Sequence, residues 1–457
     1  MPLQKDQILD AVARFGNVAQ FVSFRPDAGG FVQTYSRIAG FPDNAKFDSA
    51  DDAVGCLLLA SADRKVNVRS YAPNGVRSRE FIYGLKSTDA VLQALGRLAA
   101  QGLHTIVNET IDVSDGGVSG VLQGEMVEFA PDDTPRCVEK PGVAALPIQL
   151  ALPLFRTIYG FEPDWQWAPG LRLEFSIHPK PRGYQHSHTV IWEREENVPG
   201  APVARPAWPN RFSRHIGDKA YGLLIAHLLG QPVPKTLVVG RRIAPFSFGQ
   251  ETGSLEVWTR TCPQEPQPGL YSTVKGWTDP FRLLASEDPE HRTIASVLCQ
   301  AAVRARYSGA AVAGRDGQLL IEGRQGEGDR FMLGLEAPEQ LPRTIVESVH
   351  AANEQIIKQL GPVRFEWVHD GDRLWIVQLH CGATSTMSGV IVPGEPAGWV
   401  DFKVADGIDR LRAIVAELPA GAGIRVVGDV GLTSHIADLL RKSGRPAVVA
   451  PTAPERP

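Results

Sequence analysis

The run Asn-Val-Pro-Gly-Ala-Pro-Val-Ala-Arg-Pro-Ala-Trp-Pro, from Asn197 to Pro209, constrains this chain more than any other stretch. Proline fixes φ and carries no amide hydrogen, so a segment this dense in it continues neither a helix nor an inner strand. A domain boundary is expected there. The chain has 457 residues, more than one hydrophobic core usually serves, and roughly two to four domains are predicted from length. A second break is expected after Gln378, because Gly382 to Gly398 is rich in glycine, proline and small residues and lacks helical or strand periodicity. Three regions follow, about 1–197, 210–382 and 383–457.

Within the first region, β-rich runs such as Val66-Asn-Val-Arg69 and Thr105-Ile-Val-Asn108 alternate with helical patterns, notably Ala90 to Ala100 with apolar Val91, Leu92, Leu95 and Leu98. The second region opens with a helical stretch, Lys219 to Leu229. It closes with two strand-like runs, Val363 to Val368 and Arg373 to Leu379, joined by His369-Asp-Gly-Asp372, whose Asp-Gly pair signals a hairpin. The fold class is therefore α/β (α+β). There is also an internal echo: Arg172-Leu-Glu-Phe175 resembles Arg364-Phe-Glu-Trp367, and each precedes a second strand ending in Trp192-Glu193 or Val377-Gln378. The first region could be a diverged copy of the second.

The formal net charge of -4 offers no general attraction for a polyphosphate backbone, so no nucleic-acid partner is expected. Five scattered cysteines without metal-site spacing fit a reduced compartment. No stretch approaches the roughly 20 apolar residues that span a bilayer, and the first residues are polar and charged. A cytoplasmic protein without a membrane partner is expected.

ATP and its metal ion need backbone donors near the phosphates, a cation for phosphate charge, and oxygen ligands for magnesium. The second region supplies each in order. Gly217-Asp-Lys219 places a lysine at a helix start, and Arg260 at the end of the strand-like run Leu255 to Arg260 offers a second phosphate contact. The apolar run Leu319-Leu-Ile321 leads through Glu322 into a glycine-rich turn, making Glu322, Gly326 and Gly328 candidate nucleotide contacts. Glu366 and Gln378 fall opposite one another in the closing hairpin and would share magnesium. The bland alternatives are an exposed lysine, an ordinary surface turn and a polar cross-strand pair.

Near the C-terminus, Gly423 to Val427 reads as a strand and Ser434 to Lys442 as a helix ended by Gly444. Thr433 or Ser434 would cap that helix, which puts His435 at its positive end. There the ring is kept neutral and nucleophilic, and free amides could meet a phosphoryl group. The alternative is a histidine beside a cap, without chemistry.

The order of these motifs resembles the phosphoenolpyruvate synthase and pyruvate phosphate dikinase family. The carriers are Gly217-Asp-Lys219, loosely Val257-Trp-Thr-Arg260, then Ser308-Gly-Ala310, Gln325-Gly-Glu-Gly328, Phe365-Glu-Trp367 with Ile376-Val-Gln378, and Gly431-Leu-Thr-Ser-His435 with Gly444-Arg-Pro-Ala-Val-Val449. The family's Arg-Pro after the glutamine is replaced by His380-Cys381, and no phosphoenolpyruvate-binding barrel is expected within these residues. The resemblance covers about half of the chain. It implies an ATP-grasp-like domain over 210–382 and a swivelling phosphohistidine-type domain over 383–457. The activity implied is an ATP- and Mg2+-dependent phosphotransferase, with His435 passing the group to an unknown small-molecule or protein acceptor. The alternatives are an ATP-grasp ligase forming an acylphosphate, or an ATP-binding sensor or scaffold.

In the first region, carboxylates from Glu109 to Asp133 gather around a glycine-rich turn. A substrate or second nucleotide site could use them, or Arg69, Glu174, His178 and His188; solvated surface charge is the alternative. His178, His186 and His188 look like a metal cluster, but Pro179 and Gly183 interrupt them, and no transition metal is expected.

Overall fold

The computed structural model describes residues 4–73, 78–163, 165, 168–198, 206–264, 273–313, 318–333, 335–382, 390–428 and 430–450. Residues 199–205 of the proline-dense run and 383–389 of the second expected break lie outside these. Two compact units are formed, Met1–Ala204 and Arg205–Pro457. The second holds both the second and the third expected regions.

In the first unit, β1 (Phe21–Asp27), β2 (Gly30–Arg37), β3 (Val66–Tyr71), β4 (Ser78–Leu85) and β5 (His104–Glu109) form an antiparallel sheet of order β2-β1-β5-β3-β4. In the helix Thr88–Ala99, Val91, Ala94, Leu95 and Leu98 recur at helical spacing, and they share one core with Val22, Val68 and Val107 of this sheet. A second sheet of order β10-β9-β6-β7-β8 contains β6 (Val118–Gln123), β7 (Met126–Pro131), β8 (Ala144–Pro147), β9 (Arg172–Arg182) and β10 (Ser187–Glu195).

The second unit repeats this plan. β11 (Thr236–Gly240), β12 (Phe246–Phe248), β13 (Val257–Pro263), β14 (Thr273–Lys275) and β15 (Ile294–Ala301) form a sheet of order β12-β11-β15-β13-β14. β16 (Tyr307–Ala313), β17 (Leu319–Gln325), β18 (Val363–His369) and β19 (Leu374–Cys381) follow in the order β17-β16-β18-β19. Strand for strand, β1 to β5 correspond to β11 to β15, and β6, β7, β9 and β10 to β16 to β19; only β8 is extra. The internal echo thus belongs to a repeat of topology. The mixed α and β composition read from the sequence is what the chain adopts.

Beyond β19, β20 (Val390–Val392), β21 (Gly398–Lys403), β22 (Ala422–Val427) and β23 (Ala447–Ala450) form a sheet of order β20-β23-β22-β21, with β21, β22 and β23 mutually parallel. The helices Gly407–Glu417 and His435–Ser443 make the crossovers that parallel strands require. Phe402, Leu411, Ile424, Val426, Ile436 and Leu440 are in its core.

Two local expectations are corrected. Arg260 lies within β13 rather than at a strand end, because pairing with β15 continues to Pro263. β17 runs past Ile321 to Gln325, so Glu322 and Gly323 are strand residues and the turn begins only at Gly326. Packing explains the glycines: a Cβ on Gly309 would stand 2.7 Å from the Trp367 ring, and one on Gly323 2.9 Å from it. The indole occupies the room that two side chains would need.

Candidate active site

Lys219 enters from the first turn of the helix Asp218–Leu228, whose cap, Gly217, has φ 94° and no room for a Cβ, which would lie 2.5 Å from Cys262. Burial pulls the Lys219 ammonium below the usual lysine range, and the Arg260 guanidinium adds to the shift. Glu366 of β18 and Gln378 of β19 are paired across the hairpin, as expected, with one register shift beside them that leaves Val377 as an extra residue. A cavity of about 400 Å³ is lined by Lys219, Arg260, Arg364, Glu366, Gln378, His380, His435 and Asp438. A second, of about 520 Å³, shares Trp258, Arg260, Asp329, Met332 and Glu366 with it, so the two form one cleft. Trp258, Trp367, Val303 and Val377 line this second part together with the charged Glu256, Arg304, Glu327 and Asp329.

Two oxygen-bearing side chains of the hairpin line the smaller cavity, those of Glu366 and Gln378. Among the described residues Glu366 Oε1 is buried without a hydrogen-bond partner, as is Arg260 Nε. His380 Nε2 lies 2.6 Å from Gln378 Nε2, leaving the Gln378 oxygen for a metal. His380 Nδ1 is in turn 3.0 Å from Asp218 Oδ2. No group of three or more His, Cys, Asp or Glu side chains forms a metal cage among the described residues. A paired carboxylate and amide oxygen instead suit magnesium, which keeps waters and shares its shell with phosphate oxygens. Glu366 and Gln378 would hold it, and its contribution there is neutralisation of phosphate charge.

His435 begins the helix His435–Ser443, capped by Ser434, whose Oγ accepts from the Ala437 amide at 3.4 Å. Burial lowers the imidazole pKa; Glu366 opposes the shift, and Arg364 and Lys219 add to it. The shift favours the neutral imidazole. Arg364 pairs with Asp438, one turn along that helix. Burial alone would raise the Asp438 carboxyl, but Arg364 and then Lys442 (3.3 Å) overcome it and hold the pKa at about 2.

Several expected contacts fall elsewhere. Glu322 lines neither part of the cleft: its carboxylate accepts from the Leu432 amide at 3.1 Å, the Thr433 amide at 2.8 Å and Thr433 Oγ1 at 2.8 Å, anchoring the loop before His435. Gly326 donates its amide to the Arg306 carbonyl at 2.9 Å and accepts at its own carbonyl from Ser308 Oγ at 2.6 Å, whereas Gly328 lines the larger part. Arg364, His380, Asp329 and Asp438 line the cleft and were missed. Arg364 stands two residues before Glu366 and His380 two after Gln378, so strand alternation was the available signal.

In the first unit, the acidic segment is bound up in structure. Glu109 accepts from the amides of Gln20 at 2.7 Å and Gly183 at 3.0 Å, and Asp133 pairs with Lys140 at 2.7 Å. His178 bridges Ser176 Oγ (2.8 Å) and Asp115 Oδ2 (3.0 Å) in a serine–histidine–acid order. Ser176 and His178 are buried to 0% and 1% exposure, so this network is closed to a substrate.

No family model and no curated protein matches the chain. Among solved structures it is similar to D-alanine-D-alanine ligase from Helicobacter pylori (12% identity, TM-score 0.24, covering 35% of this chain and 50% of that one). It is also similar to a RimK domain ATP-grasp protein from Sphaerobacter thermophilus (22%, 0.23, 36% and 58%). A third is D-alanine-D-alanine ligase from Bacillus anthracis in complex with ATP (12%, 0.25, 51% and 68%). The chain thus spans about half the length of the first of these. None of the three is named as a phosphotransferase, and likeness at such scores decides nothing about activity.

Proposed function

We propose that the second unit binds ATP with magnesium in this cleft and that His435 takes a phosphoryl group from it. The observation that carries the reading is that Lys219, Arg260, Glu366, Gln378 and His435 line one cavity. The rings of Trp258 and Trp367 in the larger part offer apolar contact to a base, and Lys219, Arg260 and Arg364 offer positive charge to the phosphates. Lys219 and Arg260 orient and neutralise the phosphate chain, and Arg364 adds positive charge beside the ring. A nitrogen of the neutral His435 ring attacks phosphorus, the N–P bond forming as the anhydride P–O bond breaks, and the electron pair leaves with the departing phosphate oxygen. The phosphorylated ring then serves an acceptor.

The test is incubation with magnesium and ATP labelled separately at the β and γ positions. Acid-labile, base-stable protein label in wild type and its loss in His435→Ala support the reading; no label despite ATP binding overturns it. A second reading is an ATP-grasp ligase that forms an acylphosphate; two of the solved neighbours above are named ligases and the third ATP-grasp. It is separated by one result: His435→Ala would leave ATP turnover intact.

A further inference from the structure

We propose that the first unit carries a second phosphate and divalent-cation site, built from Lys5, Arg69, Glu174 and Glu193, that takes a magnesium-bound phosphoanhydride. The inference rests on the reading of the cleft in the second unit and on register, which fixes the equivalence residue by residue. Gly120 pairs with Phe175 and Val121 with Glu174, as Gly309 pairs with Trp367 and Ala310 with Glu366. On the other side Val121 faces Glu128, as Ala310 faces Glu322. Glu193 stands opposite Glu174 as Gln378 stands opposite Glu366, and the same register shift adjoins both pairs, leaving Trp192 and Val377 as the extra residues.

The cations follow. Arg69 occupies in β3 the place of Arg260 in β13: they pair with Ile106 of β5 and Leu298 of β15, the equivalent strands. Lys5 opens the helix Lys5–Ala13, which precedes β1 as the helix of Lys219 precedes β11. Burial and Arg69 disfavour the charged Lys5 ammonium and Glu193 favours it, whereas at Lys219 the favouring carboxylate is Glu366, the counterpart of Glu174. A lysine, an arginine and a facing pair of oxygen-bearing side chains thus recur, with Glu193 in place of the Gln378 amide and with Glu174, unlike Glu366, paired to Arg172 at 2.8 Å.

The base side is different. Trp192 stands at the place of Val377, its indole donating to Ser176 Oγ at 2.8 Å. The conserved chemistry is that of the phosphate end, which inorganic pyrophosphate and ATP share.

The experiment measures magnesium-dependent binding of labelled pyrophosphate and labelled ATP to the full chain. In Lys219→Gln/Glu366→Gln, one equivalent of pyrophosphate or ATP is expected to remain. Adding Glu174→Gln/Glu193→Gln should weaken it at least about tenfold, the effect of losing charge-assisted contacts. Retention of pyrophosphate alone identifies a site without a base, and retention of ATP alone identifies a nucleotide site. If the second-unit variant binds neither probe while wild type binds one equivalent, this proposal falls and the reading of the second unit stands; no binding in wild type removes both. Lys5→Gln repeats the test should the carboxylate variant fail to fold, as judged by circular dichroism.

Discussion

At Glu366 a buried carboxylate oxygen without a partner stands beside a lysine, an arginine and a histidine, and this fixes what substitutions there should do. Glu366→Gln keeps the shape and removes the charge, so magnesium-dependent ATP binding should weaken about tenfold or more while binding without metal changes little, as read by calorimetry. His435 has a lowered folded-state pKa, so the nucleophilic form persists as pH falls through the ordinary histidine value, about 6.5. Label transfer should stay level across that value and decline only below it. For stability the sign is opposite in direction of use: below about 6.5 the unfolded chain binds a proton that the folded ring refuses, so stability falls as the medium becomes more acid. Asp438 acts at lower pH. Its depressed pKa contributes stability above the usual carboxylate value of about 3.9, and that contribution is lost as pH falls toward about 2.

Elements hold these groups through close packing rather than through long-range charge. Trp367 lies over Gly309 and Gly323, and a Cβ on Gly309 would meet the Glu322 carbonyl at 2.1 Å. Gly309→Ala should therefore cost about 1–3 kcal/mol in urea unfolding, and ATP binding should weaken in the same variant because β18 carries Glu366. Ser434→Ala removes the cap of the helix that carries His435 and should cost about 1 kcal/mol. Strand pairing also explains which groups could be read in advance. Glu366, Gln378 and His435 stand in short local motifs with a turn or a cap beside them. Arg364 and His380 share the face of Glu366 and Gln378 by simple alternation two residues away, a local signal that was available and not used. Glu322 was misplaced because its partners, Leu432 and Thr433, lie over a hundred residues away in sequence.

For the whole chain, the mixed α and β character and the echo between Arg172–Phe175 and Arg364–Trp367 were legible, since each needs only neighbouring residues. The repeat of strand order was not, because β5 and β15 each insert between two hairpins that precede them in sequence. The Glu322 carboxylate joins β17 to the loop before His435, so Glu322→Ala should loosen the C-terminal sheet, seen as faster proteolysis near residue 390 with β16 to β19 still folded. One feature reaches further. Val377 is an off-beat syllable in the metre of β19: pairing resumes correctly on both sides of it, so its identity leaves the sidedness of Ile376 and Gln378 untouched. A change of side chain at that single position should alter the wall of the cleft while Glu366 stays opposite Gln378, and where one unit places valine the other places tryptophan.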